Sequence, residues 1–260
     1  MGPRGRGGGT PVSTAPLNTP PTHPNKPAKR SVDELRALAE SGAAELGWDA
    51  PEHEVIAWVA RNFATEAAAV ACSMADAVLP AVVAEQLPGV DVLFLDTGYH
   101  FPETYQTRND VAENLRVNIV DVLPQQTVAE QDASEGKDLF ARDPGRCCAL
   151  RKVEPLHRAL AGYELWFTGV RRDEAPTRTN TPLVTFDEKN GLVKVNPLAA
   201  WSFDQLVEYS EDNLLPVNPL LAKGFLSIGC APCTRAVAPG EDPRAGRWSG
   251  IDKTECGLHV

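Results

Sequence analysis

Short apolar runs alternate with helical patterning along this chain, and that alternation limits the folds open to it more than any other feature. Runs at 67–72 (AAAVAC) and 90–96 (VDVLFLD) lead into helical patterns at 76–87 (DAVLPAVVAEQL, despite Pro80) and 102–114 (PETYQTRNDVAEN). Further runs stand at 115–121 (LRVNIVD) and 163–170 (YELWFTGV). Strands separated by helices predict a parallel sheet covered on both faces. Upstream, Ser31 with Glu34 three residues later is a capping-box start, so a helix should run to about Leu46 and stop at Gly47. A second helix should begin at Pro51, which a first turn tolerates, and continue through VIAWVARNF. The stretch 183–196 (LVTFDEKNGLVKVN) reads instead as a hairpin, because Asn190-Gly191 sits between alternating runs. No internal repeat interrupts this order. The expected fold class is α/β: a single domain with a doubly wound, mostly parallel sheet.

The first 30 residues stand apart. They hold seven prolines, five glycines and five Lys/Arg but no acid, and such a segment buries too little apolar surface to order itself. Without an apolar h-region they read as a disordered tail and not as a signal peptide. The whole chain carries a net charge of −10, and residues 31–260, with 20 Lys/Arg against 35 acids, carry −15. That balance argues against a non-specific nucleic-acid or membrane-surface binder, which needs a basic footprint. No apolar run reaches the roughly 20 residues that span a bilayer. The expectation is a cytoplasmic protein whose cysteines are not structural disulfides.

In open α/β sheets ligands bind at the carboxyl ends of the strands, where strand order reverses. Three polar segments fall at such ends: Ser73-Met74-Ala75-Asp76, Asp96-Thr97-Gly98-Tyr99 and Gly169-Val170-Arg171-Arg172. A helix N-terminus after the first strand suits a phosphate. Yet the loop is neither a Walker A nor a GxGxxG fingerprint, and an ordinary turn capped by Ser73 explains it equally well.

Six cysteines carry more information. Cys147 and Cys148 are adjacent, and Cys230-Ala-Pro-Cys233 is a CxxC. Four thiolates form a full ligand set for a structural zinc or an iron–sulfur cluster. Adjacent cysteines on a helix point about 100° apart, which suits the separate corners of a cluster better than one tetrahedral ion. A thioredoxin-like redox pair would need a βαβ context that is missing around this CxxC. In CCALRK, Cys147 stands four residues before Arg151 and Cys148 four before Lys152, so thiols and cations should share a helix face. Cys256 is the odd thiol, near the C-terminus, with Arg244, Arg247 and His259 close in sequence. Nearby cations raise a thiol's reactivity, although a terminal cysteine is also simply a free thiol. Cys72 ends an apolar run and reads as a small buried hydrophobe.

Taken together, SMADAVL, LFLDTGYHFPETY, CCALRKVEPL, WFTGVRRDEAPTR, VNPLAAW, GCAPCT, DPRAGRW and KTECGLH resemble the bacterial assimilatory adenylylsulfate (APS) reductases, within the larger phosphoadenylylsulfate (PAPS) reductase family. The match runs from about residue 60 to the end. The resemblance implies an adenine nucleotide α-hydrolase-like fold and one 4Fe–4S cluster on Cys147, Cys148, Cys230 and Cys233. It implies that Cys256 attacks the sulfur of APS, releasing AMP and leaving a Cys–S–sulfonate that thioredoxin or a similar dithiol protein discharges as sulfite. Lys152, Arg244, Arg247 and His259 match positions around the phosphosulfate. Ser73, Leu95, Thr97, Gly98 and Gly169 match nucleotide-contacting segments, and Arg171 and Arg172 fall in the family's arginine-rich loop. The implied organisation is a tail (1–30), a nucleotide-binding and iron–sulfur domain (31–235) and a mobile C-terminal segment (236–260) that carries the catalytic cysteine.

One departure stands out. Relatives carry an SGAED-like loop where this chain has Ser73-Met74-Ala75-Asp76, so its backbone should have less freedom to wrap a phosphate. Use of PAPS, or of both nucleotides, stays open at this level. A related ATP pyrophosphatase would need an SGGxDS-type loop, and a zinc-stabilised nucleotide sensor would leave Cys256 without a task.

Overall fold

A computed structural model describes residues 27–249, 253 and 255–258. Most of the expected N-terminal tail (1–26) and His259 lie outside the described residues.

The chain forms helices α1 (Val32–Leu46) and α2 (Glu52–Asn62), then strand β1 (Ala68–Ala71) and helix α3 (Val78–Gln86). Strand β2 (Asp91–Leu95), helix α4 (Pro102–Asn114) and strand β3 (Asn118–Val122) follow. Helices α5 (Val128–Glu135), α6 (Leu139–Arg142) and α7 (Pro144–Cys148) come next. A π-helical turn (Ala149–Val153) then joins α7 to α8 (Glu154–Leu160). Strands β4 (Leu165–Thr168), β5 (Val184–Asp187) and β6 (Leu192–Val195) and helix α9 (Phe203–Asp212) complete the order.

The six strands make one sheet in the order β3-β2-β1-β4-β6-β5. All pairings are parallel except the β5–β6 hairpin. The chain winds from β1 outward through β2 to β3, then returns to place β4 on the other side of β1. Strand order therefore reverses between β1 and β4, the place where such sheets open a ligand crevice. The inner strands β2, β1 and β4 are apolar but for Asp91 and Thr168, as expected where helices cover both faces. Ala68, Ala69 and Val70 of β1, and Trp166 and Phe167 of β4, are fully buried.

Local chemistry sets several boundaries. Ser31 and Glu34 make the expected capping box, and Gly47 closes α1 at φ 67°. Pro51 is the N-cap of α2 and not a residue of its first turn. Pro80 is tolerated in α3 because it is the third residue, where a backbone N–H has no intrahelical acceptor. Helix α9 opens with a capping box of Ser202 and Gln205 that the patterning argument passed over. The short helices between β3 and β4 are too brief to show a period of their own, although Thr127 and Glu130 form a capping box at the start of α5 and CCALRK carried helical spacing.

Candidate active site

A cleft of about 380 Å³ opens at the β1–β4 reversal, within the usual range for a small-molecule site. Ser73, Leu95, Gly169, Arg171, Lys152, Arg244, Arg247 and Cys256 line it, so strand ends far apart in sequence meet the C-terminal thiol at one place.

The loop after β1 solves its missing glycine by strain. Met74 itself takes the left-handed conformation at φ 59°, a region that costs a non-glycine residue energy. Its side chain is fully buried, and Asn218 Nδ2 donates to its carbonyl at 3.1 Å. The expected loss of backbone freedom is thus offset by packing. Ser73 does not cap the following helix: Asp76 Oδ1 accepts from the Val78 N–H at 3.0 Å. Burial pushes the Asp76 carboxyl above the ordinary carboxylate range. Cys72 is not merely a core residue, because it lines the cleft as well; burial and the charge of Asp76 push its thiol up to about 12.

The cations divide into two sets. Arg171 pairs with Asp173 at 3.1 Å and with Glu174 at 3.5 Å. Arg178, which the residue-by-residue reading did not single out, lines the cleft and pairs with Glu174 and Glu255. Arg244 also reaches Glu255, at 3.3 Å. Lys152 and Arg247 differ, for neither pairs with a carboxylate among the described residues. Burial alone would lower the pKa of Lys152, but the thiols of Cys230, Cys256 and Cys148 outweigh it and hold the ammonium above its ordinary value. Burial lowers Arg247 despite the thiols of Cys256, Cys230 and Cys233 nearby. The Arg247 guanidinium lies 4.5 Å from the Trp248 ring, and its Nη1 is 3.3 Å from Ser227 Oγ.

Behind these two cations lies a second recess, lined by Cys147, Cys148, Cys230 and Cys233 with Tyr99, Phe140 and Trp248. Lys152, Arg247 and Trp248 line both cavities and so form the wall between them. The CxxC segment is tied down on several sides. The Ala231 N–H donates to the Tyr99 carbonyl at 2.7 Å, and Trp248 N–H to the Cys233 carbonyl at 3.1 Å. Thr97 Oγ1 lies 3.3 Å from Cys230 Sγ. Burial first, then the charges of Cys148, Cys230 and Cys233, push Cys147 up to about 12. Cys233 rises to about 11 for the same reasons.

The π turn after Cys148 explains how adjacent residues serve different tasks, as such insertions often do at functional sites. Arg151 turns inward and donates to the Thr97 and Gln126 carbonyls and to Gln131 Oε1, while Lys152 faces the cleft. The thiols and cations four residues apart still couple electrostatically. Arg151 lowers Cys147, and Lys152 lowers Cys148, each opposing the effect of burial.

Three expected substrate contacts sit elsewhere. Thr97 is buried against Cys230 and Arg151, and neither it nor Gly98 lines the cleft. The Gly98 N–H donates to Asp96 Oδ1 at 2.9 Å, and the glycine takes φ 72° beside the Arg151 guanidinium. Both residues therefore belong to the support of the cysteine recess. Arg172 points away from the cleft. It donates to Asp49 Oδ1 and the Trp48 carbonyl at 2.6 Å and to the Thr181 carbonyl at 2.9 Å, and stacks 3.8 Å over Trp48. A run of two arginines gives no sign of which one turns inward; the backbone at the end of β4 decides it.

Residues 66–236 match the phosphoadenosine phosphosulfate reductase domain. The chain belongs to the phosphoadenosine phosphosulfate reductase family. The reductase is 54% identical to an adenosine 5'-phosphosulfate reductase of Rhodococcus erythropolis, covering 90% of this chain and 98% of the relative. It is 57% identical to one of Mycolicibacterium smegmatis, with coverages of 88% and 96%. A crystal structure of PAPS reductase from Candida auris in a phosphate complex superposes with a TM-score of 0.62 at 27% identity, over 80% of this chain and 99% of that one. These likenesses place the reductase among the oxidoreductases and agree with an adenine nucleotide α-hydrolase-like fold. No helix among the described residues is long and apolar enough to cross a membrane.

Proposed function

We propose that this reductase converts adenylylsulfate to sulfite and AMP in sulfate assimilation, with Cys256 as nucleophile and a thioredoxin-like dithiol as reductant. One observation carries the reading. Cys256 shares its cleft with Lys152 and Arg247, two cations without a carboxylate partner among the described residues. The names of the similar relatives supply the substrate class.

Sulfur bearing anionic oxygens repels a thiolate, so cations that screen both partners lower the barrier. Lys152 and Arg247, fixed in the wall, are suited to that task; Arg244 adds a third charge at the rim. The Cys256 thiolate attacks the sulfate sulfur, the bond from that sulfur to the bridging oxygen breaks, and AMP leaves with the electron pair on its phosphate. That oxyanion needs no proton, which makes it a good leaving group. A dithiol then attacks Cys256 Sγ, and sulfite departs with the S–S electron pair. The dithiol's second thiol breaks the resulting mixed disulfide, freeing the Cys256 thiolate and leaving the dithiol as a disulfide. The dithiol's two electrons balance the reduction. Ser73, Leu95, Gly169 and Arg171 surround the space left for the nucleotide, and we assign His259 to the same site from the family pattern. Within the 236–260 segment, the part that carries Cys256 would then shuttle the loaded thiol from cleft to reductant, while Arg247 and Trp248 stay in the wall.

The four recess cysteines fit a 4Fe–4S cluster. All four donors are soft thiols packed around one recess. Bound there, the cluster would supply fixed charge and rigidity beside Lys152 and Arg247.

The test is an anaerobic preparation, its visible spectrum, and a reaction with adenylylsulfate without dithiol. A brown protein whose C-terminal peptide gains one sulfonate on Cys256 is expected. An unmodified Cys256 overturns the mechanism, and a colourless zinc protein overturns the cluster. Rates with PAPS in parallel decide whether the 3'-phosphorylated nucleotide is also used.

A further inference from the structure

Among the described residues of the C-terminal segment, Glu255, the residue before the thiol, accepts four side-chain hydrogen bonds. Glu255 Oε1 accepts from Arg178 Nε at 3.0 Å and from Thr177 Oγ1 at 3.3 Å. Its Oε2 accepts from Arg178 Nη2 at 3.0 Å and from Arg244 Nη2 at 3.3 Å. The Glu255 side chain is only 11% exposed and that of Arg178 12%, so this is a fork-on-fork pair shielded from water. Neighbouring contacts are weaker. Lys253 Nζ lies 5.6 Å from the Trp248 ring, Lys189 Nζ is 3.4 Å from the Gly257 carbonyl, and Leu258 packs on the core.

We propose that Glu255 is a positioning residue, a latch whose carboxylate docks the tail on Arg178 and Arg244 and so holds Cys256 over the cleft. Arg178 is itself braced by Glu174, so the body presents a fixed fork and the tail brings the matching anion. The latch is also an exchangeable one. Arg244 serves both the Glu255 carboxylate and the cleft, so an anionic substrate draws on the same guanidinium. Once Cys256 carries a sulfonate, the thiolate's single charge is spread over three oxygens that reach the same cations, so it competes with Glu255 and favours release toward the reductant. The proposal rests on Cys256 being the nucleophile, but tail docking can be read without any chemistry.

Hydrogen–deuterium exchange of the peptide spanning 253–258 and single-turnover S-sulfonation of Cys256 test it together, on the full chain with its cluster. Glu255→Gln should speed exchange in that peptide at least tenfold and leave the sheet unchanged. It should slow S-sulfonation roughly 10- to 100-fold, the range for losing a shielded charge-assisted pair. Discharge of a preformed Cys256 S-sulfonate by dithiol should proceed at or above the wild-type rate. Glu255→Asp, which keeps the charge, should restore part of the docking. Unchanged exchange in Glu255→Gln, or an unchanged S-sulfonation rate where the wild type reacts, overturns the latch. If the wild type itself gains no sulfonate, the nucleophile assignment fails instead, and exchange alone still judges the latch.

Discussion

Gly229 is the position where a single methyl group should separate catalysis from stability. Its backbone dihedral is open to any residue, so alanine introduces no strain there. A Cβ at this position would, however, meet Arg247 Nη2 at 2.4 Å and Cζ at 2.6 Å. Ordinary contact begins near 3.5 Å, so the guanidinium must retreat by about 1 Å. The end of the side chain can swing aside, and the Trp248 ring 4.5 Å away on one side and Ser227 Oγ on another decide where it goes. A shift of that size at a charge-stabilising group costs on the order of 100-fold in rate. Stability should change by less than about 1 kcal/mol, because the displaced atoms end a flexible side chain. Single-turnover S-sulfonation of Cys256, thermal melting and the visible spectrum of Gly229→Ala would be measured beside Arg247→Ala and the double variant. The two single variants should be similarly slow and the double no slower than Arg247→Ala. Wild-type turnover in Gly229→Ala, additive losses in the double variant, or bleaching of the cluster would each refute the reasoning.

Lys152→Ala should lower the S-sulfonation rate about 10²–10³-fold and leave the cluster absorbance intact, since the lysine lines the wall without being a ligand. Arg172→Ala should leave KM unchanged and lower Tm by roughly 2–8 °C, the consequence of about 1–2 kcal/mol lost at Trp48 and Asp49. Burial holds the His100 pKa below its usual 6.5, so the unfolded chain protonates first and stability falls as pH drops below that value. His100→Phe should therefore show a smaller fall in Tm between pH 7 and pH 5, measured by calorimetry.

Patterning revealed the sheet because its strands bury both faces and so read as continuous apolar runs. The runs at 67–72, 90–96, 115–121 and 163–170 became β1 to β4, with ends shifted by a few residues at most. Of the elements it missed, α5 to α8 and the π turn are short and owe their order to contacts distant in sequence, whereas the ten-residue α9 carries a capping box of Ser202 and Gln205 in its own sequence. Adjacent cysteines and a CxxC likewise picked out four thiols that line one recess, because soft-donor chemistry is written in residue type.

What the chain could not disclose is direction. Arg171 and Arg172 are indistinguishable as letters, yet one faces the cleft and the other clasps Trp48. Thr97 and Gly98 stand at a strand end as a ligand site should, but the packing of Arg151 turns them toward the cysteines. Arg178 and Glu255, 77 residues apart, meet only because the loop after β4 and the C-terminal segment close over the same crevice. Composition and period determined the fold class and the candidate ligands, since both are local properties of the chain. Which cations stay unpaired, and which carboxylate holds the thiol in place, depends on long-range packing and is decided only in the folded molecule.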